Sequence, residues 1–490
     1  MSLKQLGGET IIYGLANILP RLLNFVILVP FLTAVMVSED YGVVGDLFFW
    51  IALLIALLTF RMDTVVFRFA SRKEYDARAV FRKAQRFVVG AVLAVVGTGL
   101  LLAGNVAEWM SYPDRDVYVV LFLLTVACDC LSAVPLARLR LERRAWFFVF
   151  VNLGNVLLLL ALVFTLLHFW PEWGTLFGVA YEESYQVVYY MGAIAVAAAF
   201  RYLLLLADGL WRYRKRKTDW SSSPNYGKML AYSAPLTLVA VAGVYNAQSG
   251  LAVIKEFFGD DVTSNLYWTG QFSAALKLAV ILNLFVTAFN YAAEPFFFRQ
   301  AGSDLATADR TIYADAARAY AIVGTLVCAG ILVFLPWLKD FIGRDLQEGL
   351  FVLPFILAGN FFLGLYSNFS IAYKLTDKTY LGGIIAFTGS IICAAVGIGF
   401  IGEYGIIAPA LAMLACYLTM CVLAWLVTRR VFPVPYPLLR ILLYIILSAL
   451  TVYGALSLDA GLGARIAMFA ALIVTYGAVE YKWLRSVLRT

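Results

Sequence analysis

An all-α, polytopic membrane protein of about fourteen transmembrane helices is what this sequence predicts, and three observations predict it. The 490 residues are 62% hydrophobic and only 14% charged, with a mean hydropathy of +0.83, far more apolar than a water-soluble core of this length requires. Apolar windows long enough to span a bilayer recur from end to end. Lys and Arg collect on alternate connections, the pattern that fixes orientation in a membrane.

The windows run, in order, at about 10–36, 43–67, 85–106, 117–137, 146–168, 186–210, 228–252, 264–294, 317–338, 349–373, 379–400, 405–428, 437–457 and 463–483. The first stretch, from about Thr10 to Val35, lacks a small-residue cleavage site, so a retained amino terminus is expected. The second, fourth and sixth connections hold the runs Arg68 to Arg86, Arg138 to Arg144 and Arg212 to Lys217. With Lys374, Lys378, Arg429, Arg430 and the tail Lys482, Arg485 and Arg489 on the same side, both termini are predicted to be cytoplasmic. The opposite connections are short and acidic: Ser38-Glu39-Asp40, Glu108 to Asp116, Glu172 to Glu183, Glu256 to Asp261, Asp340 to Glu348, and Glu403. In the first of these, a capping Ser38 with acids in the first turn is the expected role.

The most polar interval, Trp211 to Lys228, reads as a cytoplasmic linker, and the pattern recurs on either side of it. Tyr13-Gly14 with Pro20 opens one half and Tyr232-Ser233 with Pro235 the other; second helices end in Val65-Val66-Phe67-Arg68 and Phe296-Phe297-Phe298-Arg299. The expected organisation is a six-helix amino-terminal lobe (1–218), a six-helix carboxy-terminal lobe (219–430) and two appended helices (431–490).

A net charge of +7 would raise nucleic acid in a soluble protein; here topology accounts for it, and no nucleic-acid partner is expected. Cys128, Cys130, Cys328, Cys393, Cys416 and Cys421 lie in apolar segments and His168 has no partner at metal-ligand spacing, so no metal or cofactor is expected. The short external loops offer no clustered acid, base and Arg groups, which argues against a polymerase or ligase.

Chemistry concentrates where charge enters the spans. Glu9, Tyr13, Asn17, Arg21 and Asn24 recur at intervals of four, four, four and three, which places them within about a third of one helix face. A charge at mid-bilayer costs roughly 2.5–3.5 kcal/mol on insertion scales and is retained where it faces a bundle interior or a wet cavity. Arg21, Arg61 and Lys277 are therefore the candidates for a cationic cavity, whereas Arg201 is near enough to the linker to snorkel. Asn17, Asn24, Asn246, Gln248, Asn283, Asn290, Asn360 and Asn368 are candidate cavity-lining amides able to meet sugar hydroxyls; each singly also serves as helix glue. Asp63, Asp129 and Glu294 are candidates for Na⁺ or H⁺ coupling.

Ile11-Ile12-Tyr13-Gly14-Leu15-Ala16-Asn17-Ile18-Leu19-Pro20-Arg21, Glu39-Asp40-Tyr41-Gly42, and Leu363-Gly364-Leu365-Tyr366-Ser367-Asn368 running into Tyr373 to Thr379 resemble bacterial polysaccharide-export flippases of the multidrug/oligosaccharidyl-lipid/polysaccharide (MOP) superfamily. The resemblance implies an inner-membrane protein with two six-helix lobes in a V. It would move undecaprenyl-pyrophosphate-linked oligosaccharide, as for O-antigen and other surface polysaccharides, from the cytoplasmic to the periplasmic leaflet. In lipid II relatives, arginines of the first and second helices and basic residues of the eighth line the cavity; Arg21, Arg61 and Lys277 match by helix rather than by motif. The same resemblance implies a lipid-tail groove at 437–483. With an inside-negative membrane potential, moving two negative charges outward would release roughly 4–5 kcal/mol per 100 mV. A cation-coupled multidrug exporter of the same superfamily is the alternative, and it predicts deep carboxylates where this chain has mostly deep bases.

Overall fold

The computed structural model describes residues 18–72, 74–173, 181–213, 223–301, 309–376, 378–458 and 460–487. Thirteen described helices are long and apolar enough to cross a membrane, and fourteen when a bent pair counts as one span. They are α1 (Ile18–Val35), α2 (Ser38–Ala70), α3 (Ala77–Leu101), α4 (Asp116–Leu141), α5 (Ala145–Phe169), α6 (Glu183–Arg212) and α7 (Tyr226–Phe257). The bent α8 (Val262–Leu278 and Val280–Ala301) follows. Then come α9 (Thr311–Val333), α10 (Arg344–Leu375), α11 (Tyr380–Tyr404), α12 (Ile407–Val431), α13 (Leu438–Ser457) and α14 (Leu462–Trp483). Helix is forced by the solvent: hydrocarbon offers backbone N–H and C=O groups no partner but each other. Outward-facing side chains are correspondingly apolar, with Phe150, Leu203, Leu238, Phe387, Leu439 and Val474 all exposed. Polar starts are capped, Asp76 accepting from the Arg78 amide at 2.9 Å and Asn225 from the Lys228 amide at 2.8 Å.

Two compact units result, Met1–Ser273 and Ala274–Thr490, so α7 and most of the first piece of α8 pack with the amino-terminal spans. In the first unit small residues let α2 and α8 touch backbone to backbone. A Cβ on Gly42 would fall 2.0 Å from the Leu266 carbonyl oxygen, and one on Gly270 2.0 Å from that of Ser38. Ser38 does not cap its helix as expected. The helix begins at Ser38 itself, and the hydroxyl donates to the Tyr267 carbonyl (2.9 Å) while accepting from Gln271 Nε2 (3.2 Å). Ion pairs join further helices of this unit: Arg144, at the α4–α5 turn, grips Asp208 of α6 with two bonds of 2.6 and 2.7 Å. His168 packs edge-on against Phe31 and Phe169.

The second unit is built on α10 against α12 and α9. Gly364 makes room for the Tyr320 ring, whose hydroxyl donates to the Phe361 carbonyl at 3.0 Å, and Phe285, Tyr320 and Phe361 stack in sequence. The last two helices are tied to α9 by polar groups. Glu480 of α14, 1% exposed, pairs with Arg318 and Arg440 and accepts from the Tyr444 hydroxyl. A second layer joins Tyr476, Ser448 and Thr325, and Arg465 reaches the Val333 carbonyl at 2.7 Å.

Candidate functional site

In the first unit both helices that carry expected cavity cations are irregular beside them. α1 loosens into a π-turn at Asn24–Leu28, three residues after the exposed Arg21, and Pro30 follows. Asn24 lies at the start of that turn with its Oδ1 buried and unpartnered among the described residues. α2 breaks at Phe60 and Arg61, both in the left-handed region at φ 46° and 50°. Each such residue costs roughly 1–2 kcal/mol, a strain that survives where surrounding packing or function demands it. Arg61 thereby becomes the residue preceding a second helical piece, Met62–Ala70, with Asp63 in its first turn. Among the described residues Arg21, Arg61 and Asp63 have no ion-pair partner.

The second candidate carboxylate stands differently. Asp129 of α4 is paired with Arg201 of α6, so Arg201 is turned toward a carboxylate rather than stretched to the surface. Asn246 of α7 is buried and Gln248 half-buried. Asn17 lies outside the described residues, as does the side chain of Glu294.

In the second unit Lys277 sits at the end of the first piece of α8, where the chain bends by 42° before Val280. It is half-buried and interacts with neighbouring groups. Beyond the bend, Asn283 has its carbonyl taken by Thr287 Oγ1 at 2.7 Å. Two turns beyond Asn283, Asn290 borders a cavity of about 80 Å³ between α8 and α10, whose polar lining is completed by Ser367, Asn368 and Lys374. The structure thus joins two of the expected amides, Asn290 and Asn368, with Ser367 and with Lys374, which the sequence marked only as a base on the cytoplasmic side. Lys277, Asn283 and the buried Asn360 do not line that cavity.

No protein-family model and no curated protein sequence matches this chain. Solved structures do. Lipid II flippase MurJ, in an inward closed conformation, superposes with a TM-score of 0.74 at 13% identity, over 97% of this chain and 99% of that one. An inward-facing multidrug resistance MATE family transporter of the MOP superfamily gives 0.60 at 14% identity, over 87% and 94%. A MATE protein in complex with MaL6 also gives 0.60, at 15%, over 89% and 95%. The chain shares the fold of these solved structures. These neighbours are transporters and flippases rather than enzymes.

Within this fold the most buried charge pair was not legible beforehand. Lys255, at the end of α7, and Asp46, two turns into α2, each have side chains 1% exposed and meet at 2.8 Å. Lys255 also donates to the Met110 carbonyl (2.6 Å), and Tyr112 donates to the same Asp46 oxygen (2.8 Å) while its ring faces the ammonium. Burial, with Asp46 beside it, pushes the Tyr112 phenol well above its ordinary range, so it remains a donor. A lone Asp near the start of the 43–67 apolar window was the available signal; its partner, 209 positions away, had none.

Proposed function

We propose that this protein is a flippase of the bacterial inner membrane that carries undecaprenyl-pyrophosphate-linked oligosaccharide from the cytoplasmic to the periplasmic leaflet. The observation that carries the reading is the pair of interruptions in α2 and α8, each with a basic residue at the break, Arg61 and Lys277. These are second spans of the two sequence halves, and interrupted segments at corresponding positions are where transporters of this kind build substrate sites. A helix break frees amides and carbonyls where hydrocarbon would otherwise forbid it, which is tolerated only beside protein or water.

The difficult part of flipping is the head group. Pyrophosphate and sugar cannot enter hydrocarbon unpaired, whereas the prenyl tail stays in lipid throughout. Arg21, Arg61 and Lys277 would neutralise the pyrophosphate, with Asn24, Asn246, Gln248 and the amides of α8 and α10 meeting hydroxyls. Rocking of a six-helix lobe (1–218) against a second (219–430), with 431–490 holding the tail, would present that site to each leaflet in turn. The membrane potential favours outward passage of the anion, and Asp63 or Glu294 would add ion coupling, whereas Asp129 is engaged by Arg201.

The MATE likeness keeps a cation-coupled multidrug exporter as the second reading. Reconstituted vesicles separate the two. Outward transfer of a fluorescent prenyl-pyrophosphate sugar, lost when Arg21, Arg61 and Lys277 are all changed to Ala with insertion intact, is the expected result. Transport of a cationic dye with no effect of those changes, and dependence on Asp63, would establish the exporter instead.

A further inference from the structure

We infer that the cavity between α8 and α10 is a subsite for a single glycosyl unit, distinct in its chemistry from an anion site. The source of that sugar rests on the flippase reading, while the hydroxyl preference rests on the cavity itself. Its volume of about 80 Å³ corresponds to roughly five to eight water positions, about the space of one pyranose ring.

The decisive group is Asn368, 3% exposed. Its Nδ2 donates to the Gly364 carbonyl at 3.0 Å, which fixes the amide orientation, because the flipped form would set two acceptor oxygens against each other. Oδ1 is then a buried acceptor without a partner among the described residues. A buried acceptor left alone costs free energy that a donor returns, and an ionised phosphate has no donor to offer; a sugar hydroxyl or acetamido N–H does. Ser367 points the same way: its hydroxyl hydrogen goes to the Leu363 carbonyl (3.1 Å), leaving its oxygen to accept. Lys374 and Asn290 contribute donors from the other borders, the ammonium having three N–H bonds to distribute. Residues that carry both acceptors and donors border one small space, which matches the dual character of hydroxyls. A phosphate cradle would show donors alone. Phe297, on the apolar border, gives a surface for the C–H face of a ring.

The test compares two lipids on the full-length protein in nanodiscs: undecaprenyl pyrophosphate and its N-acetylglucosaminyl derivative. Asn368→Ala and Asn290→Ala should each weaken the glycosylated lipid about 3- to 10-fold and leave the bare pyrophosphate lipid unchanged. The triple change of Arg21, Arg61 and Lys277 to Ala should weaken both lipids alike. Equal loss of both lipids in the Asn290 variant, or loss of neither, would overturn the glycosyl subsite alone. Binding of neither lipid by the unsubstituted protein would overturn the flippase reading and the subsite with it. Should Asn368→Ala lower thermal stability, Asn290→Ala, at a side chain only half-buried, still decides the matter.

Discussion

Lys255 is held by the Asp46 carboxylate at 2.8 Å, a longer ion pair to Glu256 at 3.5 Å, one backbone carbonyl and one aromatic face, and Asp46 spends a single oxygen on both Lys255 and Tyr112. Removing either charge leaves the other buried, and such orphaning costs roughly 3–5 kcal/mol, whereas an apolar replacement of both can be neutral. Asp46→Leu and Lys255→Leu should each lower the detergent-solubilised unfolding temperature sharply, and the double variant should recover most of the loss. Tyr112→Phe, which removes one bond to a charged acceptor, should cost about 1.5–3 kcal/mol in the same measurement. At this scale the sequence speaks in residue types but not in partners. Arg201 was close enough to the linker for a snorkelling role, yet it is claimed by Asp129, 72 positions earlier on another helix. Ser38, with the composition of a cap, is claimed by the Tyr267 carbonyl. In both cases a long-range contact outbids a local preference.

Helices are where local chemistry was most readable and where its failures are most informative. The span limits follow from hydropathy, since a bilayer demands uninterrupted apolar helix. The break at Phe60-Arg61 carries no such mark: neither residue favours positive φ, and no Gly or Pro stands there. Arg61→Gly should relieve the left-handed strain and leave stability equal or higher by about 1 kcal/mol, yet abolish transport if the guanidinium is needed. Arg61→Lys should retain part of the activity, which separates charge from backbone shape in one transport assay. The α2–α8 contact in the first unit makes an opposite prediction. Gly270→Val has no space before the Ser38 carbonyl and should disrupt that crossing, seen as a loss of protease resistance near residues 258–262.

For the molecule as a whole, the fold class and the count of spans were legible, and solved structures only 13 to 15% identical share the fold. Such divergence is tolerated because binary apolar patterning survives substitution of one hydrophobe by another. The polar ties of α13 and α14 to α9 are less tolerant. Glu480→Ala, which leaves Arg318 without its carboxylate, should loosen both helices and expose the 431–437 connection to protease, while Arg440→Ala, at a half-exposed side chain, should have little effect. Intact protease resistance in the first variant would remove that polar tie as the reason the last two helices dock.

Composition and hydropathy were enough to dictate a many-helix membrane protein with basic residues on alternate connections, because the cost of exposing peptide groups and charges to hydrocarbon acts on each segment alone. Which acid meets which base, where α2 and α8 break, and that Asn290 and Asn368 share a cavity with Ser367 and Lys374 depended on packing between distant segments. Those pairings are set by helix register and close approach in three dimensions, quantities to which no stretch of chain has access until its neighbours are in place.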